Sequence, residues 1–334
     1  MEEKKLMARP RKAKEPVQQN SLLEALNFLS VVTKNEGSPE ETHVILRNNQ
    51  AIAFNGIVGA GQLIEQDLIS CPHNETLIKA LSKCGQEIVY NQLDENRLSV
   101  KSGKFKVIVP CLNPFLLQGT QPDQPIAEIN DRFKVAIEAV SCLTSDDNAQ
   151  QLVYKSILLY GGSVIATDGK VIFEYWHGLP LPINIVMPKK FAEALSKTKK
   201  KLKAFGNSQS SITIYFEDNS WLKTQLYAEP WPDTGRLLNQ PCTPQPLSEN
   251  FLPALAAVAP FSPDGTVYLE SGTLRSHSSA DVGASHDLPG LPNLTLNSKQ
   301  FLMLKNYIEK IDFTNNPHLW FGNNCRGAIA GYIK

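Results

Sequence analysis

The chain has 334 residues, of which 42% are hydrophobic, and its 33 basic residues balance its 33 acidic residues. A length above the usual single-domain range predicts two or three domains, and the balanced charge excludes an overall polycation. The longest apolar run, at 251–261, contains two prolines and is shorter than the ~20 residues of a membrane-spanning helix. We therefore expect no membrane partner.

The cysteines and the N-terminus favour a cytoplasmic protein. The six cysteines show no CxxC or Cys/His spacing, which predicts reduced thiols. Residues 1–19 have no apolar core, so they do not resemble a secretion signal. We predict a disordered basic tail there, with a cloning remnant or a weak nucleic-acid-binding arm as alternatives.

Capped, amphipathic segments predict six helices in chain order, because Asn and Ser side chains accept hydrogen bonds from the free N–H groups of a first helical turn. The segments are NSLLEALNFLSVV from Asn20, NETLIKALSKCG from Asn74, NDRFKVAIEAVSCL from Asn130, PKKFAEALSKTKKKLKAF from Pro188, SENFLPALAAVAPF from Ser248 and NSKQFLMLKNYIEKI from Asn297.

The spacing of these helices indicates an internal repeat. The caps Asn20, Asn130 and Ser248 lie about 110 and 118 residues apart. A second helix follows each of these, and its first apolar positions Leu77, Phe191 and Phe301 are separated by 114 and 110 residues. Two independent markers thus give one period.

Strand patterns lie between and after the helices. Segments such as SILLYGGSVIATDGKVIFEYW alternate with period two around the hairpin-type turns YGGS and TDGK. Each unit therefore reads helix, strands, helix, strands, with linkers at 116–128 and 239–248. In the third unit, we predict that 285–292 is turn-like.

Positive charge collects on the fourth predicted helix. Between Lys189 and Lys203 there are seven lysines and one acid, Glu193. At 100° per residue the apolar positions fall on one side and five lysines on the other. A solvated polar face is the ordinary explanation, but unmixed charge favours contact with phosphate.

An enzyme finds little support in the sequence. The Gly cluster at 59–61 lacks the rest of a dinucleotide-binding motif, the six histidines are scattered, and Asp146–Asp147 is better explained as a solvated turn than as a metal pair. We predict a non-catalytic protein with no cofactor and no metal.

Two motifs resemble those of a known protein family. ATDGK at 166–170 and PDTGRLL at 232–238 resemble the paired motifs in the middle domain of the bacterial DNA polymerase III beta subunit, the sliding clamp. VKSGKFKVIVP at 100–110 resembles the closing strands of the family's first domain. The resemblance extends over residues 20–334, strongest in the middle unit, and a divergent phage- or element-encoded member is one form it could take.

The resemblance implies an α+β fold with three similar DNA-clamp domains, each with two helices packed on antiparallel sheets. The domains would form a crescent that dimerises into a ring. We place them at 20–120, 125–238 and 246–334. The implied function is that of a processivity factor that encircles double-stranded DNA without sequence preference and tethers a replicative polymerase. The alternative is a non-encircling scaffold or decoy that binds clamp partners without loading on DNA.

The resemblance also implies two sets of site residues. Polymerase and clamp loader would dock short linear peptides into a pocket between the second and third domains. That pocket would be formed by Tyr154, Thr167, Gly169, Lys170, Val171, Ile172, Pro232, Arg236, Leu237, Ile329, Gly331, Tyr332 and Ile333. The DNA-facing residues would be Lys79, Lys83, Arg132, Lys134, Lys189, Lys190, Lys197, Lys200, Lys201, Lys299 and Lys305.

The pocket motifs depart from the family pattern. Thr234 and Gly235 stand where the family has an aromatic residue and a second arginine, and Lys170-Val171-Ile172 stands where it has His-Arg-Leu. The end of the sequence, AIAGYIK, lacks the family's Met and Pro. These differences predict a different partner peptide.

Overall fold

A computed structural model describes residues 21–85, 87–143, 151–181 and 184–332. The chain divides into two compact units, and the division falls between Gln121 and Pro122, inside the predicted linker at 116–128. The predicted tail at 1–19, the pair Asp146–Asp147 and the pocket residue Ile333 lie outside the described residues.

Unit 1, the part before Pro122, contains short helices and antiparallel strands. In chain order they are α1 (Ser21–Leu29), α2 (Pro39–Thr42), β1 (Ile45–Arg47), β2 (Gln50–Phe54), β3 (Val58–Leu63), β4 (Cys71–Pro72), α3 (Asn74–Leu81), β5 (Val89–Asp94), β6 (Arg97–Ser102) and β7 (Phe105–Leu112). Strands β1 to β3 form a meander, and a second sheet has the order β4-β7-β6-β5.

Unit 2 begins at Pro122 and contains the other elements. Its first half has β8 (Pro125–Glu128), α4 (Asp131–Val140), β9 (Ser156–Tyr160), β10 (Ser163–Thr167), β11 (Val171–Trp176), β12 (Asn184–Pro188), α5 (Lys189–Lys197), β13 (Leu202–Asn207), β14 (Ser211–Phe216), β15 (Trp221–Gln225) and α6 (Thr234–Leu238). Its second half has β16 (Gln245–Pro246), α7 (Phe251–Val258), β17 (Thr266–Glu270), β18 (Thr273–Arg275), β19 (Ser285–Asp287), β20 (Leu294–Asn297), α8 (Ser298–Met303), β21 (Lys310–Asp312), β22 (His318–Gly322) and β23 (Cys325–Ile329).

One sheet of unit 2 joins strands from both of its halves. Its order is β12-β9-β10-β11-β23-β22-β21-β16. The central step is the antiparallel pairing of β11 with β23, in which Val171 lies opposite Ile329 and Ile172 opposite Ala328. Strands β8, β13, β14 and β15 pair in a further sheet, and β19, β18, β17 and β20 form another.

The repeat predicted from helix spacing recurs in the structure. Helix α1 packs on α3, α4 on α5, and α7 on α8, so each repeat holds one pair of helices against antiparallel strands. Apolar side chains fill the contacts, including Leu22, Leu26, Phe133, Phe191 and Phe251 at 0% exposure. The predicted α+β fold with paired helices is confirmed, and the three domain boundaries stay a prediction.

The lysine-rich helix is shorter than the sequence predicted. Helix α5 ends at Lys197, and Leu202 and Phe205 belong to strand β13. Thr198 has extended backbone angles, and its carbonyl accepts a hydrogen bond from Lys134 Nζ at 2.6 Å. A contact from the neighbouring helix α4 thus stabilises the end of α5.

Two helix starts and one strand differ in detail from the predictions. His73 rather than Asn74 caps α3, and Asn250 rather than Ser248 precedes α7. Asn74 is instead buried and donates to Thr33 Oγ1 at 2.7 Å, which ties α3 to the chain after α1. Residues 285–287, predicted as a turn, form β19.

Two predicted caps, Asn130 and Asn297, lie where the sequence placed them. The side chains of Asn130 and Asn297 accept hydrogen bonds from the N–H groups of Arg132 and Lys299, each at 3.0 Å. Helix α8 nevertheless ends at Met303, before the predicted end of that segment. Within the described ranges, no helix is both long and apolar enough to cross a membrane.

Candidate functional site

The hairpin turn between β10 and β11 is held by its own side chains. Asp168 Oδ1 accepts hydrogen bonds from the N–H groups of Lys170 at 2.8 Å and Val171 at 2.7 Å. Thr167 Oγ1 donates to the Val171 carbonyl at 2.7 Å and accepts from the Gly169 N–H at 3.1 Å. The sequence TDGK therefore encodes a rigid turn, because Asp and Thr satisfy the backbone locally.

Gly169 is required at the tip of this turn for two reasons. Its φ is +86°, in the left-handed region that disfavours side chains, and a Cβ there would lie 2.7 Å from the hydroxyl oxygen of Tyr154. The glycine thus lets the Tyr154 ring approach the turn closely.

The PDTGRLL segment forms a short helix against the same sheet. The side chain of Asp233 accepts from the Arg236 N–H at 3.1 Å and caps α6. Leu238, at the helix end, packs with Leu319 of β22 and Ala328 of β23, and Ile172 packs against this cluster. The segment is therefore a fixed wall rather than a linker.

Between this wall and the turn lies a cleft of about 410 Å³ within unit 2. Its size falls within the roughly 300–1,000 Å³ of ligand sites. Seven of the predicted pocket residues line it: Tyr154, Thr167, Gly169, Lys170, Ile172, Pro232 and Leu237. We call this space the peptide cleft, after the partner pocket that the sequence predicts there.

Five other predicted residues are described but do not line the peptide cleft. Val171 and Ile329 lie opposite each other in the ladder and are buried on the other face of the sheet, because successive side chains alternate. The hydroxyl of Tyr332 lies 3.2 Å from Thr266 Oγ1, and neither residue lines the cleft. Arg236 and Gly331 are also absent from the cleft lining, although the Gly331 N–H donates to Asn316 Oδ1 at 3.0 Å.

Several further residues line the cleft that the sequence did not predict. They are Gln151, Val153, Asp233, Thr234, Asn316, Pro317, Ala328 and Ala330. Ala328 and Ala330 flank Ile329, so the alternation of a strand could have replaced Ile329 by these two. Asn316 and Pro317 lie in the loop before β22 and carried no sequence signal.

The peptide cleft is mostly apolar, with charge at its margins. Lys170, exposed at the turn, and Asp233, at the start of α6, provide one charge of each sign. His318, next to the Asn316–Pro317 loop, is 6% exposed, and its burial lowers its pKa. This histidine therefore contributes no positive charge near neutral pH.

The predicted DNA-facing residues fall into two groups. Eight are exposed: Lys79, Lys83, Arg132, Lys190, Lys197, Lys201, Lys299 and Lys305. Lys134, Lys189 and Lys200 are only half-exposed. Lys134 Nζ donates to the Thr198 carbonyl, and Lys189 Nζ lies 3.6 Å from Glu193.

Lys200 is the clearest departure from the predicted lysine face. It lies after α5, where it bonds to Asp218 and donates to Ser220 Oγ at 3.0 Å. Burial would raise the pKa of Asp218, but hydrogen bonds from Lys200 and Ser220 hold it below its usual value. Lys200 therefore connects the segment before β13 to the turn between β14 and β15. Neither Lys200 nor Lys201 extends the face of α5, because the helix ends at Lys197.

Among the residues that the structure describes, no three His, Cys, Asp or Glu side chains come together as a metal site would require. No model of a protein family matches the sequence, and no curated protein matches it.

Solved structures do match, over nearly the whole chain. The Helicobacter pylori beta clamp in complex with 3,4-difluorobenzamide superposes with a TM-score of 0.77 at 16% identity, covering 94% of this chain and 98% of that one. The Pseudomonas aeruginosa DNA polymerase sliding clamp with ligand gives 0.77 at 14% identity, with the same coverage. The chain has the fold of the bacterial beta clamps. A further match, at a TM-score of 0.73 and 16% identity, is the H. pylori beta clamp bound to a DNA ligase peptide, covering 95% and 99% of the two chains.

Proposed function

We propose that this protein is a DNA sliding clamp, a non-catalytic processivity factor that holds partner proteins on double-stranded DNA. The observation that carries this proposal is the peptide cleft. In a chain with the beta-clamp fold, seven residues that the family resemblance predicted for a partner pocket surround one cavity.

The peptide cleft suits a short apolar peptide. The turn at Gly169, the capped helix α6 and the β11–β23 pairing fix its walls before any partner binds, which lowers the entropic cost of binding. Its apolar floor would take branched or aromatic side chains, and Lys170 would orient polar groups at the rim. A polymerase or clamp loader bearing such a segment is the partner that we propose.

The exposed basic residues support contact with DNA phosphates. Lys190, Lys197 and Lys201 are exposed around α5, and Arg132 is exposed on the helix that packs against it. Lysines that face a duplex gain free energy by releasing its counterions, and such contacts carry no sequence information. They would therefore allow the protein to move along DNA.

The repeat also suggests how two copies would close a ring. Strand β11 of one repeat pairs with β23, the last strand of the next repeat. The corresponding strand of the last repeat is β19, an edge strand with exposed residues. Strand β7 ends the first repeat, and β4 pairs with it at Cys111 and Leu112. Among the described residues, no strand pairs with residues 105–109 on that side of β7, and we call this stretch its free part. We propose that β19 of one copy pairs with the free part of β7 in a second copy, which would remove both exposed edges.

Light scattering on the purified full chain tests this assembly. A ring of two copies has a mass of about 74 kDa, twice the 37.0 kDa of one chain. Ile108, 47% exposed on the free part of β7, would be buried in the ring, so Ile108→Glu should give monomers. The matched control is Val89→Glu, because Val89 is 62% exposed on β5 at the other edge of that sheet. A monomeric wild-type chain would contradict the ring.

Retention on DNA tests the clamp itself. The chain is mixed with nicked circular plasmid at low salt, crosslinked with glutaraldehyde and washed at high salt. A ring should stay on the circle and leave once the plasmid is cut, since only topology holds it. Loss during the wash would contradict encirclement.

A scaffold or decoy that binds clamp partners is the second candidate. The observation that favours it is α7, which bears no Lys or Arg from Phe251 to Val258. A monomer that binds peptides but is not retained on circular DNA would support this candidate over the ring.

A further inference from the structure

A second cavity, of about 600 Å³, lies beside the peptide cleft within unit 2. Pro232, Asp233 and Thr234 line both spaces and form the wall between them. We call it the second pocket.

The second pocket lies on the same face of the sheet as the peptide cleft. On β10, β11 and β23 its lining residues are each two positions from a cleft residue, so strand alternation directs them to one side. The pairs are Ile165 with Thr167, Glu174 with Ile172, and Arg326 with Ala328. An extended peptide could therefore follow one surface past the wall.

The ion pair in the second pocket is neutral and internally satisfied. Glu174, 5% exposed, accepts hydrogen bonds from Ser163 Oγ at 2.8 Å and from Arg326 Nε at 2.7 Å. Arg326 also donates to Asn239 Oδ1 at 3.0 Å and stacks 5.5 Å from the centre of the Trp176 ring. An incoming anion would have to break these contacts.

The remaining charge in the second pocket is negative. Glu229 and Asp233 line it, both exposed, and Arg326 is its one basic lining residue among those described. The same pocket exposes apolar and aromatic surface, including Ile185, Tyr227 and Trp231. A ligand that combines a cation with a bulky apolar group fits this combination.

We propose that the second pocket binds the flank of a partner peptide whose central residues occupy the peptide cleft. The flank would cross the Pro232–Thr234 wall, insert an aromatic or branched side chain and place a lysine or arginine beside Glu229. This inference rests on the proposed peptide binding, and it assigns to the partner a recognition segment longer than the cleft alone would need.

Two tryptophan substitutions separate the two spaces. Ala228 is exposed and lines only the second pocket, whereas Ala330 is exposed and lines only the peptide cleft. The probe is a displayed library of random peptides, selected on the full-length wild-type chain. Selected peptides are synthesised at full length and in trimmed versions, which keep the central residues proposed for the peptide cleft and lack the flank. The affinities of both versions are measured by fluorescence anisotropy.

We expect the selected peptides to carry Lys or Arg and a bulky apolar residue at one flank. Ala330→Trp should abolish the binding of every version. Ala228→Trp should weaken full-length peptides about tenfold, a loss of about 1.4 kcal/mol, and leave trimmed peptides unchanged. Glu229→Lys should reverse the preference from basic to acidic flanks, because it inverts the charge of the pocket rim.

The outcomes distinguish the two proposals. If peptides bind through the cleft but trimming the flank and Ala228→Trp change nothing, the second pocket is not a peptide site and the cleft proposal survives. If no peptide is selected at all, both proposals fail. If Ala228→Trp also weakens trimmed peptides, Glu229→Lys decides, and an unchanged preference for basic flanks overturns the inference.

Discussion

The second and third repeats, both in unit 2, have the same kinds of elements but different surfaces. Helices α4 and α5 of the second repeat carry Arg132, Lys134 and three lysines, whereas α7 has no basic residue and α8 has only Lys299. The third repeat instead supplies β23 and the Asn316–Pro317 loop, which form one side of the peptide cleft. In the function that we propose, a repeated fold thus assigns phosphate contact mainly to one copy and shares partner binding between two.

The largest expected difference between the repeats concerns DNA binding. Substituting Lys190, Lys197 and Lys201 by Glu should weaken DNA binding by roughly a hundredfold at low salt, because six units of charge change near the phosphates. The same change at Lys299, Lys305 and Lys310 in the third repeat should weaken it by about tenfold or less. Binding to labelled duplex DNA at several salt concentrations measures both, and equal losses would contradict the division between repeats.

The hairpin turns provide the next comparison. Gly169→Ala should weaken peptide binding and destabilise the fold by about 2 kcal/mol, because a new Cβ would be strained at φ +86° and would collide with Tyr154. Gly161→Ala, in the β9–β10 turn at φ +53° with no atom near its Cβ, isolates the backbone strain. Gly272→Ala, in the turn of the third repeat, should leave peptide binding unchanged.

Chemical denaturation and the same peptide-binding assay measure these three variants. If Gly161→Ala costs as much peptide affinity as Gly169→Ala, the contact with Tyr154 is not what shapes the cleft.

The smallest expected effect is on pH dependence. Burial lowers the pKa of His177 in the second repeat to about 4 and also lowers that of His318 in the third. The unfolded chain takes up protons near pH 6.5, whereas the folded chain does not. The contribution of neutral His177 to the free energy of unfolding is therefore complete above pH 6.5 and is lost as the pH falls toward 4. We expect a loss of roughly 2 kcal/mol from His177 between pH 7 and pH 4.5.

Substituting each histidine by asparagine shows which of the two causes the pH dependence of stability. His177→Asn keeps an acceptor for the Leu179 N–H, which now donates to His177 Nδ1 at 3.1 Å, but it removes the titrating ring. Denaturant unfolding across this pH range should show a flatter profile for His177→Asn than for His318→Asn. Identical profiles would mean that the two buried histidines contribute equally.

Local signals predicted much of this fold. Helices appeared where caps preceded apolar periodicity, as at Asn130 and Asn297. The TDGK turn was also identifiable, because Asp and Gly have local roles there. Seven cleft residues followed from the family resemblance, and all of them except Tyr154 belong to motifs on those local elements.

The errors arose where distant residues decide local structure. In the sequence, Leu202 and Phe205 fit the apolar face of a helix. In the structure they belong to β13, where a β-bulge after Leu202 shifts the period-two pattern of the strand. In the same way, the register of β23 against β11 decides which of residues 328–332 face the cleft. Strand β11 lies more than a hundred residues earlier in the chain. No short window of sequence contains that register.

The pairing of β11 with β23 has a consequence for synthesis. The turn at Gly169 emerges from the ribosome long before Ala328 and Ala330, so a nascent chain carries only one side of the cleft. Partner proteins would find no complete pocket on unfinished or prematurely terminated chains. Recruitment would thereby be reserved for molecules whose translation had passed the last strand.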